Sequence, residues 1–285
     1  MRLLIFGIAF TLVFFQAHCQ FIKGKVIDSK SGEPLKYVSI GIIDTPCGTI
    51  TDESGNFSME IKKQSPKAMV RFSMIGYTSK TFMVEEMSLA EKVVRLDNKP
   101  IQLAEVVIRK GKLKKVGTTG YSRHRGFCGW GGSYFGKGYE IGIKIELGPV
   151  PVKLRTLHMN VYKVSFDTAL FRLHIRKITN GLPQNELLTT NILIAITAKE
   201  GWLELDLNKY NLLFRDDVAL SIEWVKAIQP IRERYMKVNS SKQELPVMGF
   251  TLKKNKGCTF TKWGTEAKWT RLDSESPSFY LTVQE

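Results

Sequence analysis

Apolar and polar residues alternate with a period of two through most of this chain, the pattern of half-buried β-strands. Ile141, Ile143 and Ile145 share one face of a run whose other face carries Gly142, Lys144 and Glu146. Phe171, Leu173 and Ile175 alternate with Arg172, His174 and Arg176, and the same grammar returns at 202–207 and 219–224. Shorter runs at 21–28, 35–40, 69–74, 81–84 and 93–96 are separated by turn signals such as Ser29-Lys30-Ser31-Gly32, Asp52-Glu53-Ser54-Gly55 and Ile75-Gly76-Tyr77. An Asp that opens a turn closing in Gly has a mechanism: the carboxylate accepts backbone N–H groups and Gly takes the positive φ. Only 225–236 hints at a helix, and Pro230 weakens it. The pattern predicts an all-β protein of two β-sandwich domains. The first is small and covers 20–98; the second covers 139–285 and is jelly-roll-like, with about eight strands.

Residues 1–19 obey a different rule. Arg2 precedes an almost unbroken apolar run at 3–15, and Gln16-Ala17-His18-Cys19 places small residues at −3 and −1 of a cut after Cys19. This is the layout of a secretory signal peptide. The run is shorter than the roughly 20 residues that span a bilayer, so cleavage is favoured over a retained anchor and the mature chain is expected to carry no transmembrane span. Cys19 also admits lipid anchoring, although Gln-Ala-His is not the usual lipoprotein lead-in. The expected location is the periplasm, or the outer membrane and cell surface.

The first domain carries a series of motifs: G-K-V-I-D at 24–28, G-E-P-L at 32–35, V-S-I-G at 38–41, G-T-I-T-D-E-S-G-N-F at 48–57 and F-S-M-I-G-Y at 72–77. These residues resemble the carboxypeptidase regulatory-like family. The resemblance implies a transthyretin-like sandwich of seven strands, found at the front of exported envelope proteins of Bacteroidota-type bacteria. It implies no peptidase. A zinc carboxypeptidase needs His-x-x-Glu, and three residues after His124, His158 and His174 stand Phe127, Val161 and Lys177. Asp28, Asp52 and Asn56 lack the alternating oxygen ligands of a calcium loop and are expected to cap turns. In the second domain, F-R-L-H-I-R-K-I at 171–178, L-P-Q-N-E-L-L at 182–188, G-W-L-E-L-D-L-N-K-Y-N at 201–211 and S-I-E-W-V at 221–225 look like a C-terminal domain of similar exported proteins, which implies fold and compartment but no chemistry.

Residues 99–138 read as a linker. Ile101 to Ile108 resembles the strand that follows this sandwich in TonB-dependent receptors, but too little chain follows for a receptor barrel and plug. Arg109, Lys110, Lys112, Lys114 and Lys115 put five cations within seven residues. They are candidates for an anionic surface, against the plainer reading of a solvated linker. The stretch 117–138 interleaves glycines with aromatics; it lacks the G-K-[ST] of a phosphate loop and is expected to be flexible and only partly packed.

Composition adds little chemistry. The 285 residues carry a formal charge of +15, with 43% hydrophobic and 24% charged residues. That is ordinary for a globular chain. After removal of 1–19, Cys47, Cys128 and Cys258 would remain, without a zinc spacing and expected as small buried residues. There is no G-x-S-x-G, no H-E-x-x-H and no Walker motif. Acid pairs such as Asp216-Asp217 and Glu204/Asp206 are common on strand faces. The stripe of Arg172, His174 and Arg176 is expected to meet water. Trp202 and Trp224 are expected in the core, while Trp263 and Trp269, near Lys262, Lys268 and Arg271, are candidates for stacking on sugars.

The sequence therefore reads as a non-catalytic, exported cell-envelope binding or assembly module without a cofactor. Expected partners are envelope polysaccharide or an outer-membrane protein, and export disfavours nucleic acid. The alternative is a glycan-acting enzyme or carbohydrate-binding protein using the C-terminal sandwich. Mass analysis of the secreted protein should place its N-terminus at or near Gln20; an intact Met1 in the folded pool would contradict the signal-peptide reading.

Overall fold

The computed structural model describes residues 21–61, 64–88, 90–99, 111–122, 127–131, 137–197, 199–237, 244–254 and 258–285. The expected signal peptide at 1–19 lies outside the described residues, as do the receptor-like strand at 101–108, Arg109 and Lys110. No helix among the described residues is long and apolar enough to cross a membrane.

The protein is all-β, as its periodicity predicts. In the first sandwich, one sheet runs Asn56–Glu60, Phe21–Asp28, Lys92–Asn98, Tyr77–Thr78. The other runs Gly48–Ile50, Ser39–Ile42, Met69–Ser73, Lys80–Met83, giving eight strands rather than the expected seven. The pair Phe21–Asp28 and Lys92–Asn98 is parallel. Between the sheets lie Ile22, Val26, Val38, Ile40, Val70, Phe72 and Leu96, with Phe57 and Phe82 edge-on to Phe72 at 5.3 and 5.8 Å. The acidic turn residues act as caps. Asp28 Oδ1 accepts the N–H groups of Lys30 and Ser31, and Asp52 Oδ1 accepts those of Ser54 and Asn56, with Gly55 at φ +76°.

The second sandwich is larger than the sequence suggests. Its distal sheet orders Phe127–Gly131, Val247–Lys254, Val152–Val164, Phe279–Gln284 and Leu113–Gly117, with Gly201–Asp206 along the other edge of Val152–Val164. Its inner sheet orders Leu182–Glu186, Phe166–Thr179, Val218–Pro230, Tyr139–Ile145, Thr259–Trp263 and Thr270–Leu272. The helix hinted at by 225–236 does not form: Val218–Pro230 is one long strand, followed by a single 3-10 turn at Arg232–Arg234.

The expected linker at 99–138 is in part sandwich. Leu113–Gly117 pairs with the C-terminal strand, and Phe127–Gly131 pairs with Val247–Lys254. The glycines here serve close approach between strands. A Cβ on Gly129 would sit 2.0 Å from the Met248 carbonyl oxygen, and one on Gly249 would sit 2.1 Å from the Phe127 ring. Trp130 is 1% exposed and forms the centre of the core, with ring centroids 5.2 Å from Phe171 and 5.6 Å from Trp224. The strand is short and Gly-rich, so it has too few apolar positions for periodicity to register.

Trp224 is buried as expected, but Trp202 is 39% exposed. It stands at the start of the edge strand Gly201–Asp206 on its outward face. Cys47, Cys128 and Cys258 are free thiols, and burial pushes Cys128 up to about 12. Truncating Trp130 to Ala should remove about 3–5 kcal/mol of stability, because the surrounding aromatics cannot collapse into the vacancy. Chemical denaturation would measure it, and a loss below 1 kcal/mol would return 127–131 to the status of a linker.

Candidate binding cleft

Residues 172, 174 and 176 alternate with Phe171, Leu173 and Ile175 and so face away from the second core. They do not meet water. Arg172, His174 and Arg176 are 1%, 6% and 8% exposed: the first sandwich closes over Arg172, while Glu186 and Trp269 of the second domain pack on His174 and Arg176. Periodicity fixes which residues share a face; it does not say what lies over that face.

Arg172 makes the central contact. Its Nη1 donates to Glu223 Oε2 at 2.7 Å and to Ser39 Oγ at 2.8 Å, and its Nε donates to Asn191 Oδ1 at 2.9 Å. Its Nη2 donates to the Tyr37 carbonyl. Ser39 then donates to Glu223 Oε1 at 2.9 Å. Two first-domain residues thus complete a second-domain ion pair. Further contacts join the domains: Arg71 Nη1 with Glu266 Oε2 at 3.2 Å, and Thr265 Oγ1 donating to the Ile40 carbonyl at 2.8 Å. Gly41 makes the Thr265 contact possible, since a Cβ there would lie 2.1 Å from Thr265 Oγ1.

The neighbouring strands bring more charge to this face. Strand register sets Glu140 directly opposite Glu223 on one side and Lys262 on the other. Two carboxylates opposite each other repel, so cations must lie between or beside them. Arg176 clasps Glu140 through Nη1 at 2.5 Å and Nη2 at 3.1 Å, and Lys262 Nζ is 2.6 Å from its Oε1. His174 bridges two acids, with Nδ1 2.6 Å from Glu186 Oε2 and Nε2 3.1 Å from Glu223 Oε2. Arg176 Nη2 also lies 2.8 Å from Nδ1, a contact that opposes protonation of the ring.

Burial alone would raise all three carboxyls; the cations outweigh it. Arg176 and Lys262 hold Glu140 well below the ordinary 4.5, His174 and Arg176 lower Glu186, and Arg172 and His174 lower Glu223. Burial and Arg176 push the His174 imidazole down, but Glu140 and Glu186 prevail and raise it above 6.5. Glu266 behaves oppositely: burial raises its carboxyl, and Arg71 only partly counters that.

These groups floor a cleft between the two sandwiches of about 760 Å³. Its rim carries the exposed Asp44, Lys99, Gln184, Asn185 and Lys268, and the half-buried Trp269. Arg176 and Lys262 stand over the Trp269 ring at 5.3 and 5.1 Å. Trp269 is therefore less exposed than its sequence context suggests.

Trp263 is 44% exposed and packs edge-on against Tyr139 at 5.4 Å. It lies on the opposite face of its strand from its neighbour Lys262, so the two candidate stacking tryptophans do not converge. Of the basic run, Lys112, Lys114 and Lys115 fall among the described residues. Lys112 is exposed, Lys114 pairs with Glu285 at 3.3 Å, and Lys115 lies over the Tyr280 ring at 5.3 Å. Asp217 pairs with Lys144 at 2.7 Å, and Asp206 caps the turn at Asn208. The cleft acids Glu140, Glu186, Glu223 and Glu266 were not singled out from sequence. For Glu140, Glu186 and Glu223 the available signal was strand parity, since acids and bases on five neighbouring strands oppose the apolar face; Glu266 lies in a turn, where parity does not apply.

Residues 22–108 match the family model of the CarboxypepD_reg-like domain. The first sandwich is a CarboxypepD_reg-like domain, a regulatory-type and non-catalytic unit. The match runs past the expected boundary at 98 and takes in the segment that resembles the receptor strand. Comparison with curated proteins gives no significant match. Among solved structures, the clostridial cysteine protease Cwp84 after propeptide cleavage is 10% identical, with a TM-score of 0.39 over 92% of this chain and 70% of that one. The VP2 subviral particle of infectious bursal disease virus is 9% identical, with a TM-score of 0.20 over 92% of this chain and 63% of that one. Likenesses this distant lend the cleft no chemistry.

A raised imidazole pKa gives stability that is full below 6.5 and is lost as pH rises through the folded value. The melting-temperature gap between the parent and His174→Gln should therefore be widest at acid pH and narrow on the alkaline side. A gap that widens with pH would show that the ring is held neutral.

Proposed function

We propose that this chain is a non-catalytic binding or assembly module exported to the cell envelope, with the CarboxypepD_reg-like sandwich as a fixed wall of its cleft. The observation that carries this reading is the pairing of the cleft floor. Glu140, Glu186 and Glu223 are each bound to Arg, Lys or His, and each is held ionised. Such groups fix a shape; they do not exchange protons near neutral pH. Binding then falls to the exposed rim, where charges of both signs and the edge of Trp269 suit a polar partner such as envelope polysaccharide or a loop of an outer-membrane protein. The signal-peptide layout of 1–19 supports export. The cations at 109–115 would add a weak, salt-screened attraction to anionic polymer.

One observation favours a second reading. Glu266, with its raised carboxyl, lines the same cleft as the ionised Glu186. Two acids driven apart in pKa are what a glycan-cleaving enzyme uses as acid and base.

Cell fractionation and a hydrolysis assay separate these readings. The protein should be recovered with the envelope, and the purified chain should release no reducing sugar from envelope polysaccharide. Recovery in the cytoplasm would refute export. Hydrolysis abolished by both Glu266→Gln and Glu186→Gln would make the protein an enzyme.

A further inference from the structure

The distal sheet carries a second constellation on its outer face, away from the cleft. Three strands place it. Gly201–Asp206, Val152–Val164 and Phe279–Gln284 lie side by side, and register aligns Glu204, His158 and Tyr280 in one row across them. In the next row Asp206, Thr156 and Thr282 align, with Lys115 beyond Thr282 on the fourth strand. Trp202 stands on the same face as Glu204 and Asp206, because side chains two apart share a face.

The aromatic groups hold one another in place. His158 stacks on Tyr280 with ring centroids 4.1 Å apart and planes within 6°. Trp202 meets Tyr280 edge-on at 5.1 Å, and Lys115 covers the Tyr280 ring at 5.3 Å. Tyr280 is therefore 8% exposed and acts as a buttress, whereas Trp202 stays 39% exposed. The indole is braced on one side by Tyr280 before any ligand arrives, which reduces the ordering cost of binding.

The polar groups around the indole are incompletely matched. His158 is 7% exposed; its Nε2 lies 2.9 Å from Thr282 Oγ1. Among the described residues its Nδ1 is buried without a hydrogen bond of good geometry; Glu204 Oε1 is 3.2 Å away. Glu204 itself is 68% exposed at its side chain and covers that nitrogen. The Glu204 carboxylate faces solvent beside the indole as a hydrogen-bond acceptor.

We propose that this outer face, centred on Trp202, is a binding platform for a neutral polysaccharide. An exposed aromatic ring offers a flat surface to the C–H face of a sugar, while carboxylates and hydroxyls at its edge take the sugar O–H groups. A dry protein–protein core is a poorer fit, because such cores are depleted of charge. Here Glu204 and Asp206 follow Trp202 on its own strand, and Lys115 closes the far side. The strands lie about 4.8 Å apart, so four of them present a surface about 14 Å across. The platform is independent of the cleft and of any activity there.

Pull-down on insoluble β-glucan, xylan, mannan and chitin tests this at low and high salt. The parent should be retained on at least one of them at both salts. Trp202→Ala should weaken retention about tenfold or more, Trp202→Phe should restore part of it, and Trp263→Ala should behave as the parent. The retaining polysaccharide should also slow oxidation of Trp202 by N-bromosuccinimide, read by peptide mapping. Because Trp202 lies at the surface, its variants should keep the parent's melting temperature. Retention on none of the four, or equal retention of Trp202→Ala and the parent, would overturn the proposal. Retention lost at high salt would assign binding to the basic charge instead. A dimer in sedimentation that dissociates in Trp202→Ala would make the face a contact between two copies.

Discussion

The arrangement of the two sandwiches depends on one buried cation. Arg172 is 1% exposed, and a charge taken out of water costs several kcal/mol unless every donor finds a partner. Its partners come from both domains: Glu223 and Asn191 from the second, Ser39 and the Tyr37 carbonyl from the first. Within the second domain alone, the guanidinium would keep only part of this set. Docking therefore does more than bury area. It supplies a hydroxyl and a carbonyl at fixed positions, so one relative orientation satisfies the charge and a rotated one leaves it short.

The rest of the inner face follows from that constraint. Covering a sheet that bears Glu140 directly opposite Glu223 would be prohibitive without cations, and Arg176, Lys262 and His174 provide them. The network in turn sets the cleft floor, where the three lowered carboxyls remain ionised. Glu266 escapes this neutralisation because it reaches across to the first domain and pairs with Arg71, which is itself 44% exposed. An exposed guanidinium is well solvated and lowers a neighbouring acid less than a buried one does. The split between Glu266 and the other acids is thus a consequence of how the domains meet.

The fold was legible where the chain alternates strictly. Phe171, Leu173 and Ile175 proved to be core, and the turn motifs from Asp28 to Gly55 formed the caps their residues require. It was illegible where glycines replace apolar residues. Trp130 lies between Gly129 and Gly131, and its strand packs as it does because Gly129 admits the Met248 backbone. The site was half legible. Parity placed Arg172, His174 and Arg176 on one face, but a contact that buries Arg172 joins it to a residue 133 positions away, Ser39. No local pattern encodes that separation. Trp202 fails for a related reason: its alternation is sound, but it belongs to an edge strand and takes the outward position.

The two faces of the second sandwich are suited to different partners because their electrostatics differ. On the inner face, Arg172, Arg176 and Lys262 balance Glu140, Glu186 and Glu223, so the chain's excess of +15 resides elsewhere. Part of it lies at Lys112 and Lys115, beside the outer platform. Attraction from that excess extends only about 8 Å at physiological salt, which is enough to hold an anionic polymer near the surface but not to select among polymers. Selection requires contacts at van der Waals distance, and the braced Trp202 indole with its carboxylate neighbours offers them. Charge and an exposed aromatic are thus placed side by side on one sheet, while the opposite sheet is committed to holding the regulatory-like domain in place.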